Sequence, residues 1–243
     1  MNSPATKRPR KSRRSISIRS IVTAAVVLAA VLFATRTNHA QQLQKGVSVQ
    51  LAVTSNAVPM PEADNQDAWI VAVTADGSLY FGVDPVSPSD LADKMKSRPR
   101  RRDQKLYIKA DARAPFADVR RVFAAAHAVA FDTPVLLTSQ KESTATGAVV
   151  PPTGLEVTVG PHSHTAAIVV QINSGQHGPT VLVNDQQIPD APLAATLRRL
   201  LQDRSDTPVL VKASGTVPFA AVVRVIDVCR SIEAKVAFVT PML

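Results

Sequence analysis

Apolar positions in this chain alternate between a strand period of two and a helix period near 3.6, and the alternation is laid down twice. Leu106–Ala110 reads as a strand. Phe116, Val119, Val122, Phe123 and Ala126 follow at helical spacing and form one apolar stripe. Val135–Thr138, just after Pro134, reads as a further strand. Pro115 stands at the first helical position, where a missing N–H costs nothing. The block returns from Val209 to Thr240. Lys109-Ala110 matches Lys212-Ala213, Pro115-Phe116-Ala117 matches Pro218-Phe219-Ala220, and Val119, Arg121 and Val122 match Val222, Arg224 and Val225. One single-residue gap is needed before the last strand. Two copies are too few for a solenoid, so the reading is a tandem pair of small units.

The patterns upstream of each block also correspond. Val47–Val53 alternates apolar and polar positions, as a half-buried strand does. WIVAVTA (69–75), Asp76-Gly77 and SLYFGV (78–83) predict a hairpin with a type I′ turn. Ser87-Pro88 predicts a helix start, with Leu91 and Met95 on the inner face. In the second copy, strands are expected at Gly154–Val159, Ala167–Ile172 and Thr180–Val183. Asp190 is expected to cap a helix bearing Leu193, Leu197 and Leu200. Each unit is then α+β, a mixed β-sheet with two helices on one face. Boundaries fall at a first domain 47–139, a linker 140–153 (polar and proline-terminated) and a second domain 154–243.

Composition changes this picture mainly at the N-terminus. Lys7, Arg8, Arg10, Lys11, Arg13, Arg14 and Arg19 supply seven of the nine net positive charges, and no acid precedes Glu62. The basic tail 1–19 therefore explains the high pI, and a nucleic-acid-binding globular body is not implied. Residues 20–35 carry no charge and lie between Arg19 and Arg36. Ile16 and Ile18 lengthen that apolar run towards the ~20 residues of a membrane span. The charges of Arg13, Arg14 and Arg19 set its orientation, N-terminus in the cytoplasm and everything after the linker 36–46 outside. The rival reading is a signal peptide cut after Asn38-His39-Ala40; Asn38 is a poor residue three positions before such a cut, which favours the retained anchor. Aromatics make up 4% of the chain, so the cores are expected to be aliphatic.

Chemistry-bearing patterns are few. The chain has no phosphate loop, nucleophile elbow, zinc-protease helix or CxxC pair, so neither an enzyme, a cofactor nor a metal site is expected. Cys229 sits among Val222, Ile226 and Ile232 at helical spacing and reads as a small buried hydrophobe. His162, His164 and His177 form a weak metal set without Cys or paired carboxylates. Asp111, just past a strand, is placed to accept hydrogen bonds from the following turn, and its counterpart is Ser214. Asp111, Pro115, Phe116, Pro218 and Phe219 are the expected structural or interaction positions. Arg98, Arg100, Arg101 and Arg102 form a cluster able to meet an anion or an acidic partner.

The sequence order is basic tail, single span, linker, hairpin, short helix, then strand–helix–strand. With WIVAVTADGSLYF (69–81), Leu91, LYIKADARAPFADVRRVF (106–123) and Val135–Thr138, it resembles the ExbD/TolR family of biopolymer-transport proteins. Ala167–Thr240 resembles a second, divergent copy. The resemblance implies an inner-membrane, single-pass subunit of a proton-motive-force-linked complex with periplasmic domains. It also implies partners: an ExbB/TolQ-like membrane protein, a TonB- or TolA-like protein, and a second copy of the chain or pairing within it. Its mechanism implies a proton-carrying carboxylate in the span, yet residues 16–35 contain no Asp or Glu. That departure points to an accessory or divergent member. The alternative is a membrane-anchored passive periplasmic scaffold or cell-wall-binding module, or a secreted periplasmic protein if residues 1–40 are removed.

Overall fold

The structure, a computed structural model, describes residues 46–140, 151–160, 167–176, 178–188, 192–202, 204 and 207–239. The chain divides into two units, Met1–Leu43 and Gln44–Leu243. The first unit lies outside the described residues, and with it the tail, the span 20–35 and Arg13, Arg14 and Arg19. Among the described residues no helix is long and apolar enough to cross a membrane.

The second unit is α+β and contains two mixed sheets. The first half holds β1 (Val53–Thr54), β2 (Val58–Pro59), β3 (Trp69–Val73), β4 (Leu79–Phe81), β5 (Asp84–Val86), α1 (Leu91–Ser97), β6 (Leu106–Ala110), α2 (Phe116–Ala128) and β7 (Val135–Gln140). The second half holds β8 (Thr153–Glu156), β9 (Thr158–Gly160), β10 (Ile168–Gly175), β11 (Gly178–Val183), β12 (Gln186–Ile188), α3 (Leu193–Leu201), β13 (Val209–Ala213), α4 (Phe219–Arg230) and β14 (Val236–Val239). The first sheet runs β2-β8-β7-β6-β3-β4-β5 with β1 beside β7; the second runs β12-β11-β10-β13-β14-β9. The repeat holds at the level of register. Trp69 pairs with Leu106 where Ile168 pairs with Val209, and Ile108 pairs with Leu136 where Val211 pairs with Phe238, all parallel.

Both faces of β3 are buried, which is why it reads WIVAV without polar interruption. One face meets the helices. Ile70 on the other joins Met60, Ala63, Tyr107 and Leu137 beneath a 3-10 turn at Pro61–Asp64. Burial beneath that turn pushes the Tyr107 hydroxyl up and the Lys109 ammonium down from their usual pKa values.

Several expected elements differ in detail. The hairpin after β3 does not use a type I′ turn, because only Gly77 (φ 84°) is left-handed and Asp76 is not. Gly77 N–H instead bonds the Thr74 carbonyl and Thr74 N–H the Ser78 carbonyl, a three-residue loop closed by Gly77. A third meander strand, β5 or β12, follows in each half. The β11–β12 link is the one built on two left-handed residues, Asn184 (φ 49°) and Asp185 (φ 67°). The helix near residue 90 starts at Leu91, and Ser87 Oγ accepts the Asp90 N–H (3.2 Å) in the turn before it. The expected strand Val47–Val53 shrinks to Val53–Thr54. Its Gln50 crosses the end of β6 instead, with its carbonyl taking Ala112 N–H (2.7 Å). β8 belongs to the first sheet, pairing with β7 from Glu156–Val135 to Thr153–Thr138. The core is not aliphatic throughout. Phe81, Phe116, Phe123, Phe131, Phe219 and Phe238 are all buried, so the few aromatics concentrate inside.

Candidate interaction interface between the two halves

Pro115 and Pro218 each stand one residue before their helix, not inside it, with φ −59° and ψ of 134° and 137°. Both are extended, as an N-cap residue is, and they face each other in an antiparallel bridge. Around that bridge the main chain is reciprocally bonded. Phe116 N–H donates to the Val217 carbonyl (2.9 Å) and Phe219 N–H to that of Ala114 (2.9 Å). Ala117 N–H donates to Gly215 (3.0 Å) and Ala220 N–H to Ala112 (2.9 Å). Each bond maps onto its partner when the two copies are exchanged, so a pseudo-two-fold axis runs through the proline pair. Proline suits this place because the free N–H groups at each helix start are then satisfied by the other half.

Side chains extend the exchange. Phe116 and Phe123 of α2 stack on Phe238 of β14, with ring centroids 5.8 and 4.9 Å apart. One continuous apolar cluster therefore includes both halves. Asp227 near the C-terminal end of α4 accepts the N–H groups of Ser55 (3.0 Å) and Asn56 (2.8 Å) from the first half. β8 and β9 run consecutively along the first sheet and then the second, so residues 153–160 strap the sheets together.

Asp111 lies at the end of β6, just before this interface, with its side chain 3% exposed. It accepts Gln50 N–H (3.0 Å), Arg113 N–H (3.0 Å) and both Arg113 Nε (2.9 Å) and Nη2 (3.0 Å). The Arg113 guanidinium holds the Asp111 carboxyl well below the usual carboxylate range; burial opposes this, and the two backbone N–H groups reinforce it. Ser214 occupies the matching turn, its Oγ 3.3 Å from Thr216 Oγ1.

The family model for biopolymer transport protein ExbD/TolR matches residues 9–141 and again 134–241. The chain belongs to the ExbD/TolR family. Two matches in one chain agree with the duplicated fold. No curated protein matches the chain.

The ExbD/TolR chain uses its other expected positions differently. Three of the four clustered arginines are engaged within the molecule. Arg98 lies over Trp69 and Phe81 (5.3 and 5.5 Å to the ring centroids) and donates to the Asp67 carbonyl. Arg100 lies 3.7 Å from the Phe131 centroid and donates to the carbonyls of Val129 (2.7 Å) and Ala130 (3.1 Å). Arg101 pairs with Asp67 at 3.2 Å. Arg102 is exposed. Cys229 is fully buried, and burial pushes its thiol up to about 12. Arg121 pairs with Asp118 on its own helix. His162, His164, His177 and Asp190 lie outside the described residues.

Sequence reasoning missed the Asp227 clamp, since its counterpart by repeat is Ala124 and an aspartate near a helix end reads as solvated. The signal that could have found it is that mismatch: a carboxylate present in one copy only. The residues singled out at the repeat, Pro115, Phe116, Pro218 and Phe219, are brought together at the axis.

Proposed function

We propose that this ExbD/TolR chain is an inner-membrane subunit of a proton-motive-force-linked, energy-transducing transport complex, and that its body is a dimer built within one chain. The chain is anchored through residues 20–35 with the N-terminus in the cytoplasm and the paired halves in the periplasm. An ExbB/TolQ-like multi-span protein holds the anchor, and a TonB- or TolA-like protein is engaged by the periplasmic body. Family membership supports the transport reading, and the reciprocal main-chain bonding around Pro115 and Pro218 supports the paired body, because it satisfies the facing N–H groups of both halves within one chain. The span has no carboxylate to carry a proton, so the chain acts beside a proton-competent subunit as an accessory or divergent member. A hydroxyl such as that of Thr23 does not titrate near neutral pH and does not substitute for one.

The test is affinity purification of the full chain from its native membrane in mild detergent, followed by mass spectrometry. The expected result is co-purification of an ExbB/TolQ-like protein, with one copy of this chain where a single-domain member contributes two. Recovery of the chain free of any multi-span partner overturns the transport reading in favour of a passive scaffold. A mature N-terminus at Gln41 overturns the anchor itself.

A further inference from the structure

The turns that precede α2 and α4 are built alike. Asp111 N–H donates to the Val73 carbonyl and Ser214 N–H to that of Ile172, both at 2.8 Å. Ala114 N–H closes on the Asp111 carbonyl (3.0 Å) as Val217 N–H closes on that of Ser214 (3.1 Å). The first turn holds the Asp111 carboxylate, which takes the Arg113 N–H two residues on. In the second turn Ser214 carries a hydroxyl on the matching Cβ, and Thr216 stands in place of Arg113. The Thr216 N–H has no acceptor among the described residues. Gly215 N–H has none there either, whereas its counterpart, Ala112 N–H, bonds the Gln50 carbonyl.

Hydroxyls gather beside these two N–H groups. Ser174 Oγ lies 2.7 Å from Thr216 Oγ1, which lies 3.3 Å from Ser214 Oγ. Three hydroxyl protons serve two contacts, so one O–H is left to donate elsewhere. In the first half Ala75 takes the place of Ser174, so this cluster belongs to the second copy alone. Ser174 and Thr216 are exposed, and Ser214 and Gly215 half-buried, so the donors are open to a solute.

We propose that the Ser214–Thr216 turn binds a small organic carboxylate, whose oxygens take the position that the Asp111 carboxyl fills in the first turn. A carboxylate is the favoured anion because the same backbone already holds one in the other copy, and N–H and O–H donors bond most strongly to a charged acceptor. No cationic side chain replaces Arg113 here, so binding depends on the N–H and O–H donors. The Gly215 and Val217 carbonyls of the same turn take the Ala117 and Phe116 N–H groups, so the anion settles at the paired face itself. Such binding needs no multi-span partner and is independent of the transport reading above.

Gly215-Thr216 is the only Gly-Thr step in the chain, so labelling glycine at the carbonyl carbon and threonine at the amide nitrogen selects the Thr216 amide alone. The full chain so labelled, in lipid nanodiscs, is titrated by NMR with sodium acetate, and with sodium chloride and sodium sulfate at equal ionic strength. The expected result is a saturable downfield shift of the Thr216 amide proton with acetate and none with the other two salts. Ser214→Ala is expected to weaken acetate binding about tenfold, through loss of one hydroxyl donor to a charged acceptor. Ser214→Asp, which restores the internal carboxylate, is expected to show the downfield position before acetate is added and no further shift with it. A shift that grows without saturating, an equal response to chloride or sulfate, or an unchanged titration in Ser214→Asp overturns the proposal.

Discussion

Replacing Asp111 with asparagine tests how the turn before the interface is held. Asp111 receives two main-chain N–H groups and the Arg113 guanidinium while only 3% exposed. Arg113 itself is 66% exposed, so solvent screens the pair, although the guanidinium still favours the charged carboxylate. The main-chain bonds matter more, since a bond to a charged acceptor contributes roughly 1.5–3 kcal/mol, and asparagine turns an NH₂ group towards one of the donors. The expected loss for Asp111→Asn at pH 7 is therefore about 2–4 kcal/mol. The loss is also pH-dependent. Because the folded-state pKa of Asp111 lies below its unfolded value of about 3.9, its contribution is fully present above that value. The contribution disappears as pH falls through the folded pKa, so wild type and variant converge in acid. Urea unfolding of the full chain in detergent, read from the single, buried Trp69, measures both effects. A difference below about 0.5 kcal/mol at pH 7, or one that is the same at pH 7 and pH 3, refutes the reasoning.

Three further outcomes follow from the packing. Gly77→Ala and Gly82→Ala are each expected to cost about 1–2 kcal/mol, because φ is 84° and 67°, the new Cβ at position 77 meeting only the movable end of the Asp118 side chain and that at 82 open space; thermal melts of the two variants check this, and no loss at either contradicts it. Arg100→Lys is expected to lose about 1–2 kcal/mol in the same urea titration, nearly as much as Arg100→Ala, because an ammonium cannot span two carbonyls while stacking on Phe131. Cys229 is expected to resist a thiol reagent in the native protein at pH 8 and to react fully in denaturant; rapid native labelling contradicts its burial.

The duplication was readable because the two copies keep their apolar stripe and their Pro-Phe-Ala helix starts in register. The pairing of the copies was not readable, since Pro115 carries the same signal as an ordinary helix start whether its neighbour is solvent or Pro218. Short edge strands such as β5 and β12 escaped because three residues show no period, and Asp84-Pro85 reads as a loop. The Arg98–Arg102 run reads in sequence as a solvated loop able to meet an anion or an acidic partner. Two of its guanidinium groups cover Trp69, Phe81 and Phe131, contacts between segments distant in the chain that local pattern cannot carry. The apolar run at β8 was visible, but its assignment to the first sheet depends on pairing with β7, which only the folded chain reveals.

Hydrogen exchange of the amides of Phe116, Ala117, Phe219 and Ala220 bears most directly on whether the halves form one paired body. Each of these N–H groups bonds the opposite half. All four are expected to exchange together, at the slow rate of the central strands β6 and β13, in the full chain under native conditions. Exchange of these four within minutes, while β6 and β13 remain protected, would mean that the halves fold separately and that the pairing at Pro115 and Pro218 does not exist in solution.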